Sequence, residues 1–433
     1  MGRKLIRIEG RDRPQAGNVA QLAAFAADLG SAVGTSGLGF ENWNSAFNTL
    51  GTLAQGKGWI ILLDEITWLA RHSEECLAEL KVFIDRHISG GGNQLIICGS
   101  VSQWIEQQVN ESDLFVGRIS RKINLQPLTL AESAQFWSQR DASPREILTS
   151  LCVTGGVPRY LEEIDVRESA EWNIQRMCFE PSGYLANELP NLIKSSFLSA
   201  TRESSLERYL KILETLSGSA KTPAEIAAAT GIHNSESLQD SLAALTLSGL
   251  VSENPTWSIK TTEVHKRKVR YRVEDPYTRF YVKYIQPQLK EIAKGLYRSI
   301  TLKQLPSWDA IRGLQFEALV GQSMIPAILD RLNLRGVPVQ RFGPYFQSKT
   351  RLHPAVQIDY LLQTDSTLYV CETKFSKTIA ASVIDEVTEK IQRLGVPRTM
   401  TVRKVLIYSG ELDLALKESI YFDREVCMDE LLK

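Results

Sequence analysis

The sequence lacks long apolar runs and an excess of charge of either sign. It contains no stretch of about 18 consecutive apolar residues to span a bilayer, and its N-terminus has no apolar signal core. Among the 433 residues, 50 Lys and Arg balance 50 Asp and Glu, so net charge does not favour a nucleic-acid partner. We therefore expect a cytoplasmic protein without membrane contact, in which any basic surface is local.

Paired cysteine and histidine motifs are also missing. The six cysteines form no CxxC pair, and the five histidines form no HxxxH or HExxH pattern. Several cysteines lie inside apolar runs, which predicts buried thiols in a reducing cytosol rather than disulfides. The histidine pattern argues against a zinc site.

Apolar periodicity predicts an α/β protein of several domains. WIILLDE (59–65) and QLIICGS (94–100) are continuous apolar runs separated by a helical segment, which is typical of buried parallel strands. Further along, three helices and a hairpin with Asn254-Pro255 near its turn describe a winged helix-turn-helix. The predicted regions are a parallel-sheet α/β core (1–130), a helical lid (131–204), the winged helix (205–275), a helical connector (276–310) and a C-terminal α/β domain (311–433).

The segment VQIDYLLQTDSTLYVCETKF (356–375) predicts a β-hairpin with charged residues in its middle. A two-residue turn at Asp365-Ser366 places Asp359 directly opposite Glu372, with Lys374 two residues further along the same strand face. Two carboxylates facing each other destabilise a hairpin. A divalent cation between them would reverse that sign, because hard cations take carboxylate oxygens as ligands.

This grouping, an Asp followed by E-x-K, resembles the core of the PD-(D/E)XK nuclease superfamily. The resemblance implies a restriction-endonuclease-like domain in which Asp359 and Glu372 bind Mg²⁺ or Mn²⁺ and Lys374 assists the attacking water. It also implies that Glu317, on the preceding helix, supports the metal, and that Gln392 occupies an auxiliary position. The alternative interpretation is a surface ion pair of Lys374 with one of the two acids.

A second motif lies in the N-terminal region. WIILLDEITWL matches a Walker B strand that ends in Asp64-Glu65, and the following strand presents Ser100 at a sensor position. Together with the order of the later regions, this resembles the archaeal-type AAA-like P-loop ATPases of the STAND group, some of which carry a winged helix and a C-terminal nuclease-like domain. The resemblance implies metal and water contacts for Asp64 and Glu65. Arg118 is a candidate phosphate-sensing arginine, with an ordinary ion pair as the alternative.

The Walker A loop that should precede these elements is missing. The nearest fragment, GKG at 56–58, directly precedes the Walker B strand and is not followed by Ser or Thr. The phosphate cradle, its lysine and the Mg²⁺ hydroxyl are therefore absent, which argues against tight ATP binding. We expect a core that is either truncated at its start or degenerate, in which Asp64 and Glu65 cap the following helix.

The densest basic run is HKRKVRYR (265–272), on the predicted wing. Lys266, Lys268, Arg270 and Arg272 alternate along a strand and are candidates for phosphate contact. The candidate recognition helix, in contrast, has no Lys or Arg, so intramolecular packing of the winged helix is an equal alternative.

The motifs together predict a metal-dependent nuclease or nucleic-acid-binding protein, with DNA as the favoured partner. The alternative is an ATP-binding switch whose C-terminal domain is a non-catalytic module for DNA or another partner. The resemblance to AAA-like ATPases leaves a homo-oligomer open.

Overall fold

The computed structural model describes residues 4–11, 17–56, 58–71, 73–90, 92–100, 102–197, 203–233, 235–297, 299–323, 325–351 and 353–432. The chain is a mixed α/β protein that divides into two compact units. One comprises Met1–Asn124 and Ile193–Thr201, and the other comprises Leu125–Leu192 and Arg202–Lys433. The lid, winged-helix, connector and C-terminal regions, predicted as separate domains, thus lie together in the second unit, apart from 193–201.

The first unit is built on a parallel three-stranded sheet of order β1-β2-β3. Ile6, Ile8, Ile61 and Leu63 are fully buried on its strands, which confirms the prediction of parallel strands from apolar runs. The elements are β1 (Leu5–Glu9), α1 (Gly17–Val33), α2 (Trp43–Ala54), β2 (Ile60–Asp64), α3 (Ile66–Ala70), α4 (Glu74–Phe83), β3 (Gln94–Ile97) and α5 (Ser102–Ile105).

Helices open the second unit, except that residues 193–196 at the end of the fifth helix belong to the first unit, and the last three helices precede an antiparallel hairpin, the element order predicted for a winged helix. The elements are α6 (Leu130–Ala134), α7 (Pro144–Thr154), α8 (Pro158–Glu162), α9 (Ala170–Phe179), α10 (Glu188–Ser196), α11 (Glu203–Leu216), α12 (Pro223–Thr230), α13 (Ser235–Leu247), β4 (Val251–Trp257) and β5 (Val264–Val273). The start of α12 is as predicted, because Thr222 and Glu225 form a capping box around Pro223.

The turn of the hairpin differs from the prediction. Asn254 and Pro255 lie inside β4, where they pair with Arg270 and Val269 of β5. The register shifts between Pro255 and Trp257, and an irregularity of this kind is where a strand tolerates proline. The chain reverses instead at 258–263, beyond the predicted position.

The last region holds a five-stranded sheet of order β10-β9-β8-β7-β6, in which β6 to β8 are antiparallel and β8 to β10 are parallel. Two of its strands, β6 and β10, were not predicted. The elements are α14 (Pro276–Phe280), α15 (Leu289–Ala293), α16 (Trp308–Ser323), α17 (Ile325–Arg331), β6 (Arg341–Gln347), β7 (Val356–Gln363), β8 (Thr367–Ile379), α18 (Val383–Arg393), β9 (Thr401–Leu412), α19 (Leu414–Glu418) and β10 (Arg424–Cys427).

The hairpin β4–β5 packs against this sheet. Trp257 lies in the same apolar cluster as Tyr345 and Ile358, and its indole nitrogen donates to Gln363 Oε1 at 2.9 Å. The hairpin is therefore part of the core of the C-terminal sheet. Among the described residues, no helix is both long and apolar enough to cross a bilayer.

Candidate active site

The register of β7 and β8 places the two predicted acids side by side. Thr364 N donates to Thr367 O at 2.9 Å, so the turn contains Asp365 and Ser366, as the sequence predicted. The ladder continues to Tyr360 opposite Cys371, and Asp359 and Glu372 are the next residues of the two strands.

A lysine lies between the two carboxylates. Lys390 Nζ, from α18, is 3.2 Å from Asp359 Oδ1 and 2.5 Å from Glu372 Oε2. Lys390 was not predicted from the sequence, in which the nearby Gln392 was assigned the auxiliary position. On α18, Lys390 follows the buried Val383 and Val387 on one helix face, whereas Gln392 is exposed. Helical spacing from the apolar positions was the signal that could have found Lys390.

Lys374 holds the other side of Glu372. Its ammonium is 3.1 Å from Glu372 Oε1 and 2.6 Å from Glu386 Oε2 on α18. The Glu372 side chain is only 3% exposed, while that of Lys374 is 29% exposed. Lys374 therefore lies between the buried Glu372 and the partly exposed Glu386.

Burial and mutual charge set the proton affinities of the cluster. Burial, followed by the Asp359 charge, raises the pKa of Glu372. Burial opposes the charged form of both lysines, but the neighbouring carboxylates outweigh it and raise the pKa of Lys374 and of Lys390. Both ammonium groups are thus charged at neutral pH and offset the two carboxylates.

Glu317 lies inside the protein and has a different partner from the one predicted. Its carboxylate accepts a hydrogen bond from Arg272 on β5, and its backbone carbonyl accepts one from Tyr360 Oη at 2.8 Å. Arg272 also donates to Tyr360 Oη at 3.0 Å and to Glu274 Oε2 at 3.1 Å. Glu317 is therefore tied to the hairpin β4–β5.

The charge of Asp359 also affects the proton affinity of Glu317. Burial, followed by the Asp359 charge, raises the pKa of Glu317 to about 7, although Arg272 opposes the shift. The supporting role predicted for Glu317 at the metal therefore remains a prediction, and its direct side-chain partner is Arg272.

The donor chemistry of the pair suits a hard divalent cation, since Asp359 and Glu372 offer carboxylate oxygens. Asp359 Oδ2 accepts from the backbone N–H and the hydroxyl of Thr373, both at 2.9 Å, which leaves Oδ1 to Lys390. Across the described ranges, no group of three or more His, Cys, Asp or Glu side chains is arranged to hold a metal ion. Any metal ligation here therefore rests on the two carboxylates and on displacement of Lys390.

The predicted basic residues of the wing differ in their exposure and in their partners. Arg272 is 8% exposed and engaged as described above, so it cannot reach a phosphate at the surface. Arg270 donates to Ala220 O at 3.0 Å and to Glu225 Oε2 at 3.2 Å. Lys268 is exposed, and the side chain of Lys266 lies outside the described residues. Of the predicted basic residues that the structure describes, Lys268 is thus the one whose side chain is exposed and therefore accessible to a phosphate.

In the first unit, the predicted Walker B and sensor residues do meet. Ser100 donates to Glu65 Oε2 from its hydroxyl at 3.0 Å and from its backbone N–H at 3.3 Å. Asp64 accepts two hydrogen bonds from Arg7, at 2.7 and 3.0 Å, and one from the Cys98 thiol at 2.8 Å. These contacts hold the pKa of Asp64 below its usual value, with the Cys98 hydrogen bond as the largest cause.

Arg118 lies apart from this group. It forms a two-pronged ion pair with Asp85, at 2.7 and 2.9 Å, which is the ordinary ion pair that the sequence offered as the alternative. Asp64 also has a counter-ion of its own in Arg7.

Comparison with known proteins finds distant similarity. No protein-family profile matches the chain. An uncharacterized protein of Methanocaldococcus jannaschii is 24% identical over 329 residues, which cover 75% of this chain and 68% of that protein.

Three solved structures are also similar to this chain, at sequence identities of 11–17%. The Walker-type ATPase Paby2304 of Pyrococcus abyssi aligns with a TM-score of 0.45 at 17% identity, over 65% of this chain and 84% of that one. Cdc6p of Pyrobaculum aerophilum aligns with a TM-score of 0.26 at 12% identity, over 68% and 81% of the two chains. Protein VC1899 of Vibrio cholerae aligns with a TM-score of 0.24 at 11% identity, over 86% and 88%.

Proposed function

We propose that the C-terminal sheet carries a metal-dependent phosphodiesterase site that cleaves nucleic acid, with DNA as the favoured substrate. The single observation that carries the proposal is the convergence of Asp359, Glu372 and Lys374 at one point of the β7–β8 hairpin. Burying two carboxylates and an ammonium costs desolvation free energy even when they are paired, and charged groups held in this way with shifted pKa values are frequent at functional sites.

Each residue has a defined task in this proposal. Asp359 and Glu372 would hold Mg²⁺ or Mn²⁺, which polarises a phosphate oxygen and lowers the pKa of a water molecule when bound. Lys374, the most solvent-accessible of the three, orients the attacking water and offsets the negative charge that develops on the phosphate. Glu317, whose charge is paired with Arg272, would support the site from behind Asp359 without contacting the substrate.

Cleavage of labelled DNA and RNA by the full chain with Mg²⁺ or Mn²⁺ tests the proposal. Asp359→Asn, Glu372→Gln and Lys374→Met should each lose metal-dependent cleavage. Glu389→Gln, which changes an exposed acid on α18 that pairs with Arg393, should cleave like the wild type. If no metal and substrate combination supports cleavage, or if the Glu372→Gln protein cuts as well as the wild type, the proposal is wrong.

A nucleotide-dependent switch is the second candidate, because the Glu65–Ser100 contact joins an acid and a hydroxyl at the ends of adjacent strands. Such a pair would sense the γ-phosphate of ATP. Titration of a fluorescent ATP analogue decides it. Saturable binding that weakens in Glu65→Gln and Ser100→Ala would favour the switch. No binding at millimolar nucleotide would exclude the switch and leave the phosphodiesterase as the remaining proposal.

A further inference from the structure

All four carboxylate oxygens of Asp359 and Glu372 have partners. On Asp359, Thr373 takes Oδ2 and Lys390 takes Oδ1. On Glu372, Lys374 takes Oε1 and Lys390 takes Oε2. Only Lys390 contacts both acids among these partners, so it stands at the position that a bridging cation would take.

We propose that Lys390 is the built-in cation of this site and competes with the divalent metal for Asp359 and Glu372. The inference rests on the proposed function, which supplies the metal. A divalent ion that binds Asp359 Oδ1 and Glu372 Oε2 must displace the ammonium, because both oxygens already contact it at hydrogen-bond distance. Lys390 therefore holds the site together without metal and lowers its affinity for metal.

The position of Lys390 allows this exchange. Its side chain is 24% exposed, so the ammonium can leave for solvent. The backbone beneath it stays fixed, because Val383 and Val387 on the same face of α18 are buried. Lys374 stays on Glu372 Oε1 in this exchange, so the single positive charge of the Lys390 ammonium is replaced by the double charge of the metal ion. The four-carbon stem of a lysine is suited to such movement because it is flexible.

Metal affinity of the full-length protein, measured with Mn²⁺ by electron paramagnetic resonance, tests the competition without reference to cleavage. Lys390→Met should bind Mn²⁺ about tenfold more tightly than the wild type, equivalent to about 1.4 kcal/mol. Lys377→Met, at an exposed position on the same strand as Lys374, should leave the affinity unchanged within about twofold. Equal or weaker Mn²⁺ binding by Lys390→Met, with normal folding, would overturn the competition while leaving the proposed function intact.

Thermal unfolding without metal tests the counter-ion role separately. Lys390→Met should unfold several degrees below the wild type, because it leaves two carboxylates facing each other. Adding Glu372→Gln to Lys390→Met should recover most of that loss of stability, since only one of the two facing carboxylates then carries a charge. If neither protein binds Mn²⁺, the proposed metal function fails and the competition fails with it. A Lys390→Met protein as stable as the wild type in the absence of metal would refute the counter-ion role.

Discussion

The guanidinium of Arg272, on strand β5, donates to the carboxylate of Glu317, on helix α16, and both side chains are buried. This pair joins the hairpin that was predicted to read nucleic acid to the helix that was predicted to support a metal. From the sequence alone, the two residues were expected on separate surfaces. In the structure they serve the same interior contact, behind the carboxylate pair.

Removal of Arg272 should destabilise the protein strongly. Arg272→Met leaves Glu317 buried without a partner, and breaking a buried ion pair in this way costs about 3–5 kcal/mol. The midpoint of denaturant unfolding, followed at neutral pH, measures the loss. Lys268→Met, four residues earlier on the same strand and exposed, is the control and should stay within about 0.5 kcal/mol of the wild type. A loss for Arg272→Met as small as that of the control would contradict a structural role.

Stability should depend on pH through Glu317. Because the folded protein raises the pKa of Glu317 from 4.5 to about 7, the folded state binds the proton more tightly than the unfolded state. The stability that this proton contributes is fully present below about pH 4.5 and is lost as the pH rises through about 7. Relative to Glu317→Gln, the wild type should therefore lose stability across this window, by up to about 3 kcal/mol.

Thermal unfolding midpoints at intervals from pH 4 to about 8 would record this difference, and Glu389→Gln should follow the wild type throughout. Two parallel stability curves for the wild type and Glu317→Gln would show that Glu317 has the same proton affinity in both states.

Gly321 is expected to tolerate no larger side chain. A Cβ at Gly321 would lie 2.1 Å from the hydroxyl of Tyr360, which is fully buried. Gly321→Ala should destabilise by about 1–3 kcal/mol, because the Tyr360 ring has to shift and lose its hydrogen bonds. Gly313→Ala, on the same helix, meets none of the described atoms within 4 Å and should instead stabilise by about 0.5–1 kcal/mol.

Calorimetry or denaturant unfolding of the two alanine variants separates these expectations. Adding Tyr360→Phe to Gly321→Ala should recover part of the loss, because it removes the clashing oxygen. Equal effects of the two glycine substitutions would contradict the close approach of Gly321 to Tyr360.

Cys98 should react slowly with alkylating reagents although it is exposed. The residue as a whole is exposed, but partial burial of its sulfur, followed by the hydrogen bond to Asp64, raises the pKa of Cys98 to about 11. The reactive thiolate is therefore scarce at neutral pH. Asp64→Asn should lower this pKa and speed alkylation, which mass spectrometry of the modified peptide measures against pH. Glu9→Gln, an exposed change beside Arg7, should leave the rate unaltered.

The sequence predicted elements whose pattern is local. Apolar runs indicated β2 and β3, and the turn at Asp365-Ser366 set the β7–β8 register, because a hairpin register depends only on the turn and on the residues beside it. Strand β6 was missed since Gly343-Pro344 reads as a turn, whereas in the structure a shift of register accommodates it.

The remaining errors concern long-range contacts. Lys390 and Asp359 are distant in sequence, and Arg272 meets Glu317 only after β5 packs against α16. Alternation along β5 shows which residues share a face, but the solvent side depends on what covers that face. Asp359, Glu372 and Lys374 were thus named from the sequence. The cationic partners of the acids, such as Lys390, were not.

The contact of Trp257 with Gln363 bears on whether the pieces of the second unit stay together when its chain is cut. A protease that nicked the chain between β5 and α16 would leave two fragments that stay associated, held by the indole of Trp257 and by Arg272. An expression fragment that began at α16 would expose the apolar cluster around Tyr345 and Ile358 to water. The smallest piece that carries the carboxylate pair with its packing intact therefore begins upstream of β4.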